Sequence, residues 1–348
     1  MSELRKDPIV DRWVIIAAER GRRPTDFKAE PELPGADGCP FCGGNEAKTP
    51  PEIYALRDQG PPNGPGWRVR VVANKFPALA IEGRLVRAGI GLLDRITGIG
   101  AHEVIIESPT HSDDLPEMPA DRVVDVLCTY AQRTCDLRRD ERFRHLIIFR
   151  NYRAEAGASL THPHSQLIAL PFIPQLVKEK LNSARDHYSR KERCIFCDLL
   201  EQELALPERV IYTNEHFVIL SPFAARFPFS VEIYPLVHCH DFVAMDTAKQ
   251  YALAEALQYI LGRYKTTLSN PAYNLTLQTA PSPAPRPGHP EYWGTIVHDY
   301  HWHVEIFPRL TKMAGFEWGT GCYINPVSPE DAARYMRPDD KTGREETP

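Results

Sequence analysis

One ordered series of motifs occurs twice along this chain, and it restricts the possible folds more than any other feature. Each series runs from a Cys-x-x-Cys pair to an Asn before an aromatic residue, a single His and a His-x-His string. The distance between the copies differs from motif to motif, which indicates an ancient duplication with altered loops and a fold of two similar halves. The first series contains Cys39, Cys42, Asn74, His111, His162 and His164, and the second contains Cys194, Cys197, Asn214, His238, His301 and His303.

Secondary-structure patterns are of the same kind in both halves. Short runs rich in β-branched residues, such as WVIIAA and HEVIIES in the first half and FSVEIYP in the second, predict strands. We therefore predict an α+β fold in which each half is an antiparallel sheet with one long helix, and domains over residues 1–178 and 179–348. Asp246 is the predicted N-cap of the last long helix. The predicted helices span residues 120–142, 174–191 and 247–268.

Composition and charge exclude several classes of protein. The chain has 348 residues, 43% of them hydrophobic, so it can bury one sizeable core or two smaller ones. Its formal net charge of -5 lacks the basic excess of a general nucleic-acid binder. No apolar run reaches the length of a membrane span, and the N-terminal sequence MSELRKDPIVDRW has no apolar region of a signal peptide. We predict a soluble cytoplasmic protein that binds neither nucleic acid nor membrane.

The two cysteine pairs predict two metal sites. In a large cytosolic protein, paired cysteines are more often metal ligands or redox motifs than disulfides. Two thiolates and two imidazoles form a closed tetrahedral zinc site, which stabilises a fold and leaves no position for substrate. We predict two zinc ions per chain, the first held by Cys39, Cys42, His111 and His162 and the second by Cys194, Cys197, His238 and His301.

Alternatives to these metal sites stay open on sequence grounds. A thioredoxin-like redox motif shares the spacing but normally begins a helix, whereas the first pair lies in a Pro/Gly-rich loop. Buried thiols without metal are the second alternative. His240 and His303 compete with the chosen histidines for the second site. Cys128 and Cys135, in a predicted helix, are expected to be small core residues.

The segment His162-Pro163-His164-Ser165-Gln166 predicts a nucleophile. On a strand, His162, His164 and Gln166 point to one face. A neutral imidazole attacks phosphorus well and also leaves it readily, which divides a nucleotidyl transfer into two easier steps. Because His162 is assigned to metal, His164 is the candidate nucleophile, and Gln166 is a candidate donor to a phosphoryl oxygen.

A run of small residues just upstream predicts a phosphate-binding loop. The segment Glu155-Ala-Gly-Ala-Ser159 offers to a diphosphate the Ser159 hydroxyl and backbone N–H groups, including those of Gly157 and Ala158. Two core histidines are the plain alternative for the string that follows. A His-Pro-His-x-Gln string directly behind such a loop disfavours that alternative.

Only the first half is predicted to be catalytic. The second His-x-His string has Glu305 where the first has Gln166, and no Gly-Ala-Ser loop precedes it. A carboxylate at this position repels a phosphoryl group instead of stabilising it.

These motifs together resemble those of the galactose-1-phosphate uridylyltransferases, a branch of the histidine-triad superfamily. The resemblance covers nearly the whole chain, and the His-Pro-His-x-Gln string with the preceding FRN and GAS is its most specific part. It implies two histidine-triad-like halves that form one half-barrel antiparallel sheet with flanking helices, in a homodimer. The other matching segments are RKDPIVDRWVIIA, RGRRP, CPFCGGNE, VVANKFPAL, HEVIIESPTH and GFEWGTGCYINP.

The resemblance also implies a ping-pong reaction between a nucleotide sugar and a hexose 1-phosphate. UDP-glucose gives UMP to His164, glucose 1-phosphate leaves, and galactose 1-phosphate accepts the UMP. Some family members hold iron at the second metal site, where the second Cys-x-x-Cys of this chain indicates zinc. The matching substrate positions are Arg20, Arg23, Asn74, Asn151, Ser159, Gln166, Lys312 and Phe316. For the two arginines, a solubilising surface cluster is the alternative.

Three other functions remain as alternatives. The segment GTGCYINP and the paired second metal site also resemble a plant-type ADP-glucose phosphorylase, which transfers adenylyl and uses phosphate as acceptor. The His-Pro-His string, in place of His-Ser-His, is more similar to the uridylyltransferases than to this phosphorylase. A dinucleoside polyphosphate phosphorylase would use the same histidine. A non-catalytic zinc protein that binds nucleotides is a distant third function, because a binding module needs no nucleophile.

Overall fold

The protein, seen in a computed structural model that describes residues 2–10, 12–17, 37–283 and 293–338, has strands and helices in both halves. The strands are β1 (Glu3–Lys6), β2 (Trp13–Ile16), β3 (Glu52–Arg57), β4 (Trp67–Ala73), β5 (Arg87–Ile90), β6 (Leu93–Ile96), β7 (Ala101–Ile106), β8 (His145–Tyr152), β9 (His164–Leu170), β10 (Val210–Thr213), β11 (Phe217–Leu220), β12 (Val231–Pro235), β13 (Tyr273–Gln278), β14 (His303–Pro308) and β15 (Tyr323–Asn325). The helices are α1 (Ala120–Leu137), α2 (Gln175–Lys191), α3 (Ile195–Ala205), α4 (Thr247–Thr267), α5 (Ile296–Asp299), α6 (Gly315–Thr320) and α7 (Pro329–Met336).

One open antiparallel sheet joins the two halves, in the strand order β10-β11-β12-β14-β13-β8-β9-β7-β4-β3. Outward from the centre, β8, β9, β7, β4 and β3 mirror β13, β14, β12, β11 and β10. Phe149 pairs with Thr276 where the halves meet, Gln166 pairs with Phe149, and Glu305 pairs with Thr276. Gln166 and Glu305 are therefore equivalent positions, and the predicted α+β fold of two similar halves around an unclosed sheet is confirmed.

Two long helices cover one face of this sheet and leave the other face open. Helices α1 and α4 occupy corresponding places in the two halves and pack against each other. Leu127 of α1 and Leu257 of α4 share one continuous core with Leu167 and Val304 of the sheet. Because neighbouring residues on a strand alternate between faces, the residues flanking Leu167 and Val304 point to the open face. Both His-x-His strings therefore begin on the side that the long helices leave free.

The N-terminal strands lie outside the main sheet. Strands β1 and β2 pair antiparallel, and β15 adds parallel to β2 to complete a three-stranded sheet. The WVIIAA run thus pairs with the C-terminal part of the chain, not with the first-half strands among which its pattern was grouped.

Helices α2 and α3 partly fill the open face of the second half. Val177 and Leu181 of α2 and Phe196 of α3 pack in one cluster with Leu220 and Tyr234 of the sheet. Helix α2 agrees with the prediction to within one residue. The predicted domain boundary between residues 178 and 179 falls inside α2 and stays a prediction. None of the described helices is long and apolar enough to span a bilayer.

Two sequence-based placements need correction. Asn214 lies in the turn before β11, where its Oδ1 accepts the N–H of Phe217 at 2.9 Å, whereas Asn74 follows β4. Because β4 and β11 are equivalent strands, the two asparagines lie at opposite ends and are not a repeated motif. Helix α1 ends at Leu137, not at residue 142, because the N–H of Asp140 turns back to the Leu137 carbonyl. The Asp246 cap is confirmed, since its side chain accepts the N–H of Lys249.

Candidate active site and metal centres

His164 is the first residue of β9, and its ring orientation is fixed from one side. It pairs with Ile106 of β7 in the register of the sheet and is 6% exposed. Its Nδ1 donates to the backbone carbonyl of His162 at 2.8 Å. A carbonyl can only accept, so the proton of a neutral ring lies on Nδ1 and the lone pair is on Nε2. Burial lowers the pKa of His164, only partly offset by that hydrogen bond, and so favours the neutral ring.

Two cavities of different character meet at His164. One of about 300 Å³ has apolar walls that include Phe41, Val72 and Phe76, and the Phe76 ring is 83% exposed. The other, of about 260 Å³, is lined by polar and charged groups, among them Arg153 and Lys265. His164 lines both. This arrangement suits a ligand with an apolar ring at one end and anionic groups near its middle.

A buried polar network supports His164 from the neighbouring strands. Ser165 donates to Glu107, and the Tyr130 hydroxyl lies 2.5 Å from the Ser165 Oγ. The Arg150 Nε donates to the other Glu107 oxygen at 3.1 Å. Because each of these buried groups has a partner, the network holds the start of β9 rigid.

The first Cys/His cluster brings its predicted ligands together beside His164. Potential ligand atoms of Cys39, Cys42, His111 and His162 all lie within 4.8 Å of one another. The Nδ1 atoms of the histidines lie 3.5 and 3.6 Å from the Cys42 Sγ. The His162 Nε2 contacts the Ser108 carbonyl at 2.7 Å, which leaves the Nδ1 lone pair facing the sulfur. Two sulfurs and two such nitrogens fit a closed tetrahedral zinc site.

The second cluster has the same composition. Potential ligand atoms of Cys194, Cys197, His238 and His301 also lie within 4.8 Å of one another. The hydrogen bond from Cys194, joined by those from His238 and His301, lowers the pKa of Cys197 to about 3 against the effect of burial. A thiolate is the form that binds metal. Among the described residues, His240 does not belong to this cluster, and neither does His303.

The second cysteine pair differs from the first in its local structure. Cys194 is the N-cap of α3, so this pair does begin a helix, as a redox motif would. The sequence argument against a redox motif, that the cysteines lie in a loop, therefore holds only for the first pair. Two histidines within reach of both sulfurs now carry the metal interpretation of the second pair.

Each cysteine pair also places a phenylalanine against a histidine of its own half. The Phe41 ring meets the His164 ring edge-on, with centroids 5.4 Å apart. The corresponding Phe196 ring lies 5.6 Å from the His303 ring. Both phenylalanines lie between the two cysteines of their pair, and this repeated position is the sequence signal that could have indicated their role.

His303, the equivalent of His164, is blocked by groups that sequence reasoning missed. Its Nε2 lies 2.9 Å from the Nζ of Lys180, which reaches it from α2. Lys180 also pairs with Glu305, whose burial would raise its pKa, but the charges of Lys180 and Arg226 hold that pKa well below its usual range. The neighbouring Glu232 is buried, which raises its pKa to about 7. An imidazole nitrogen held by an ammonium has no lone pair to offer phosphorus.

Part of the predicted phosphate-binding loop is already hydrogen-bonded within the protein. The N–H groups of Gly157 and Ala158 donate to the carbonyls of Ala154 and Arg153, so both close the turn. Ser159 is exposed and lines the apolar cavity together with His164. The Ser159 hydroxyl therefore stays a candidate, whereas the two amides are used within the protein.

The remaining predicted substrate residues fall into three groups. Asn74 and Gln166 line the apolar cavity, and Asn151 lines the polar one. Phe316 lies in α6 and Lys312 just before it, and both are outside the described lining of the two cavities. Arg20 and Arg23 fall outside the described residues.

The expectation of two core cysteines in α1 is only partly met. Cys128 packs against the main core, where its Sγ lies 3.3 Å from the Gln250 Oε1. Cys135 lies almost two full turns further along the same side of α1 and is exposed.

The chain matches known proteins over almost its whole length. The family described as galactose-1-phosphate uridyl transferase matches with its N-terminal domain over residues 1–174 and its C-terminal domain over residues 145–317. The chain is 36% identical to an ADP-glucose phosphorylase of Arabidopsis thaliana, over 96% of this chain and 92% of that protein. It is 32% identical to a galactose-1-phosphate uridylyltransferase of Thermotoga maritima, over 97% and 98%. A crystal structure of an Arabidopsis thaliana ADP-glucose phosphorylase with bound ADP-glucose superposes with a TM-score of 0.80, at 34% identity over 97% and 99% of the chains.

Proposed function

The chain belongs to the galactose-1-phosphate uridylyltransferase family, and from that premise we propose a nucleotidyltransferase that works through a covalent adduct on His164. The donor is UDP-glucose and the acceptor is galactose 1-phosphate. One observation carries the proposal: His164 has its Nδ1 tied to a carbonyl and lies where an apolar and a polar cavity meet.

In the first half-reaction, the His164 Nε2 lone pair attacks the α-phosphorus of the nucleotide sugar. A P–N bond forms, the P–O bond to the sugar phosphate breaks, and glucose 1-phosphate leaves with that electron pair. The ring then carries a positive charge, and the Nδ1–H bond to the His162 carbonyl stabilises it. Gln166, on the same face of β9, donates its amide N–H to a phosphoryl oxygen.

In the second half-reaction, a phosphate oxygen of galactose 1-phosphate attacks the same phosphorus. The P–N bond breaks and its electron pair returns to Nε2, which restores the neutral imidazole. Both sugar phosphates use one subsite in turn, and the candidate for it is the polar cavity, whose lining includes Arg150, Arg153 and Lys265 as well as three carboxylates, Asp113, Asp114 and Glu117.

The two Cys/His clusters hold zinc in this proposal. A closed four-ligand zinc ion contributes folding free energy and leaves no position for substrate. At the first site it fixes the backbone of His162, whose carbonyl orients His164.

Lys312 and Phe316 keep their proposed role only in a dimer. Within one chain neither lines a described cavity at His164, although the Phe316 side chain is 44% exposed. We expect them to reach the substrate of a second copy of the chain, which sedimentation together with mixed-variant complementation can test.

An ADP-glucose phosphorylase is the second candidate function. The 36% identical Arabidopsis thaliana relative of that name favours it. It uses the same His164 adduct, with AMP in place of UMP and inorganic phosphate in place of the hexose phosphate.

One experiment separates these candidates. The protein is incubated with UDP-glucose or with ADP-glucose alone, and its intact mass is measured under non-acidic conditions. A UMP adduct that galactose 1-phosphate discharges supports the first function, and an AMP adduct that phosphate discharges supports the second. The absence of both adducts, with glucose 1-phosphate released from neither donor, would contradict a covalent nucleotidyltransferase.

A further inference from the structure

His102 is a polar residue at the active site that the proposed reaction does not use. It lies on β7, two residues before Val104, which pairs directly with Gln166. Its Nε2 lies 2.8 Å from the Gln166 Oε1, and the Asn74 Nδ2 lies 3.4 Å from the same oxygen. The three side chains therefore form one cluster on the open face, at the apolar cavity.

The proton of His102 can be located from a backbone contact. The N–H of Ala78, which can only donate, lies 3.1 Å from the His102 Nδ1. The Nδ1 must therefore carry a lone pair, which places the ring proton on Nε2. The Nε2 in turn donates to the atom of Gln166 that it contacts.

The orientation of the Gln166 amide follows from this proton. The atom that accepts from His102 must be the carbonyl oxygen, whichever way the amide is drawn. Asn74 agrees with this assignment, because its Oδ1 accepts the N–H of Phe76 and leaves its NH₂ group to donate. Asn74 Nδ2 and His102 Nε2 lie 3.1 Å apart, and as two donors they converge on one oxygen. The Gln166 NH₂ group is then free to donate elsewhere.

The described part of the second half has no corresponding cluster. The position equivalent to His102 is Ser230, by the registers that pair Gln166 with Val104 and Glu305 with Glu232. The Ser230 hydroxyl donates to the Phe227 carbonyl at 2.9 Å. A carboxylate at 305 has no amide to orient. The histidine is thus present in the half where the neighbouring side chain, Gln166, is an amide with two different ends.

We propose that His102 is a positioning residue that donates from Nε2 to the Gln166 carbonyl and so turns the Gln166 NH₂ group toward the phosphoryl group on His164. This inference rests on the proposed function, since it assumes that Gln166 acts on a phosphoryl group. An amide held in place donates without first having to rotate, and flipped it would present an oxygen to an anion.

The test compares two substitutions, each of which retains a hydrogen-bonding group near a different nitrogen of the ring. His102→Gln keeps a donor near the Nε2 position, whereas His102→Asn keeps only a group near Nδ1 that can accept from Ala78. Single-turnover adduct formation with UDP-glucose or ADP-glucose gives the chemical rate and the donor affinity separately. We expect His102→Asn to lower the rate about fivefold to tenfold with little change in affinity, and His102→Gln to retain most of the rate.

A double-mutant cycle distinguishes positioning from a general structural effect. In a Gln166→Ala background, His102→Asn should change the rate by less than about twofold, because the amide to be oriented is gone. Additive losses, or equal losses in both His102 variants, would overturn the inference while leaving the His164 adduct intact. A wild-type protein that forms no adduct would overturn the proposed function and this inference together.

The wild-type protein supplies a test that needs no substitution. Nitrogen chemical shifts of isotope-labelled histidine distinguish a ring protonated on Nε2 from one protonated on Nδ1. We expect the Nε2–H form for His102. The Nδ1–H form would overturn the inference even if a His102 variant failed to fold.

Discussion

The two His-x-His strings have the same backbone geometry but opposite surroundings. In each, the second histidine donates from Nδ1 to the carbonyl of the first, at 2.8 Å for His164 and 3.1 Å for His303. The Nε2 of His164 faces two cavities, whereas that of His303 faces Lys180. Equivalent positions also differ in charge, since Glu305 replaces Gln166.

This difference separates what the metal sites require from what the chemistry requires. Both halves keep two cysteines, two histidines and a phenylalanine against the second histidine of the string. Only the first half keeps a free nucleophilic nitrogen and a neutral amide beside it. In the second half, Lys180 of α2 contacts both His303 and Glu305 at the corresponding place, so we expect this half to support the fold and to contribute no nucleophile.

Removing the nucleophile should have the largest effect. His164→Gly should lower nucleotidyl transfer by several orders of magnitude, because no other described group beside the phosphoryl position replaces the attacking nitrogen. Free imidazole, which fits the vacated space, should restore part of the activity. His303→Asn is the matched control in the second half and should leave adduct formation unchanged. Loss of the adduct in a folded His303→Asn protein would contradict the difference between the halves.

Removing one metal ligand from each half compares the two clusters. Cys39→Ser and Cys194→Ser should each lower the zinc content by one ion per chain and the free energy of unfolding by several kcal/mol. Metal analysis and urea unfolding measure both effects. Cys39→Ser should in addition slow adduct formation, because its cluster holds the backbone that orients His164. A folded Cys194→Ser protein that forms the adduct as slowly as Cys39→Ser would contradict the separate role given to the first cluster.

Replacing Lys180 tests whether contact with this lysine is the sole reason that His303 forms no adduct. Lys180→Met should lower the free energy of unfolding by about 2 kcal/mol, less than a fully buried pair costs, because Arg226 still faces Glu305. It should not create a second adduct, since the Glu305 charge repels phosphate. Lys178→Met, exposed on the same helix, is the control for urea unfolding. Two nucleotides per chain in Lys180→Met would disprove the role given to Glu305.

The smallest effect concerns backbone strain beside the nucleophile. Arg153 has φ 68° and ψ 166°, a region that favours glycine almost exclusively, and Ala280 at the equivalent position is not left-handed. Arg153→Gly should raise the free energy of unfolding by about 1 kcal/mol, after allowance for the greater freedom of glycine in the unfolded chain. Glu192→Gly, at an exposed left-handed position remote from the site, should gain less. Urea unfolding that shows a loss for Arg153→Gly would contradict this strain.

Much of the site could be predicted because its residues lie in short, ordered motifs. The spacing of His162 and His164 on a strand gave their common face, and the repeated order of cysteines and histidines gave both ligand sets. The match between Asn74 and Asn214 failed because an asparagine ahead of an aromatic residue is too short a pattern to show at which end of a strand it lies.

The features that were missed depend on contacts between distant segments. Lys180 reaches His303 from a helix whose packing on the sheet no local pattern specifies. His102 on β7 contacts Gln166 on the neighbouring strand β9, and its role depends on the backbone N–H of Ala78. The exposed Cys135 shows the same limit, because it lies on the same side of α1 as Cys128, and it is Cys128 that contacts Gln250 of the distant helix α4.

The most direct test of His164 as the nucleophile locates the nucleotide on the chain. Wild-type protein is loaded with a nucleotide sugar without acceptor, digested under non-acidic conditions, and its modified peptide is sequenced by mass spectrometry. We predict one nucleotide per chain, attached to His164, in a peptide that also contains Gln166. A nucleotide on His303, two nucleotides per chain, or turnover without any covalent adduct would contradict it.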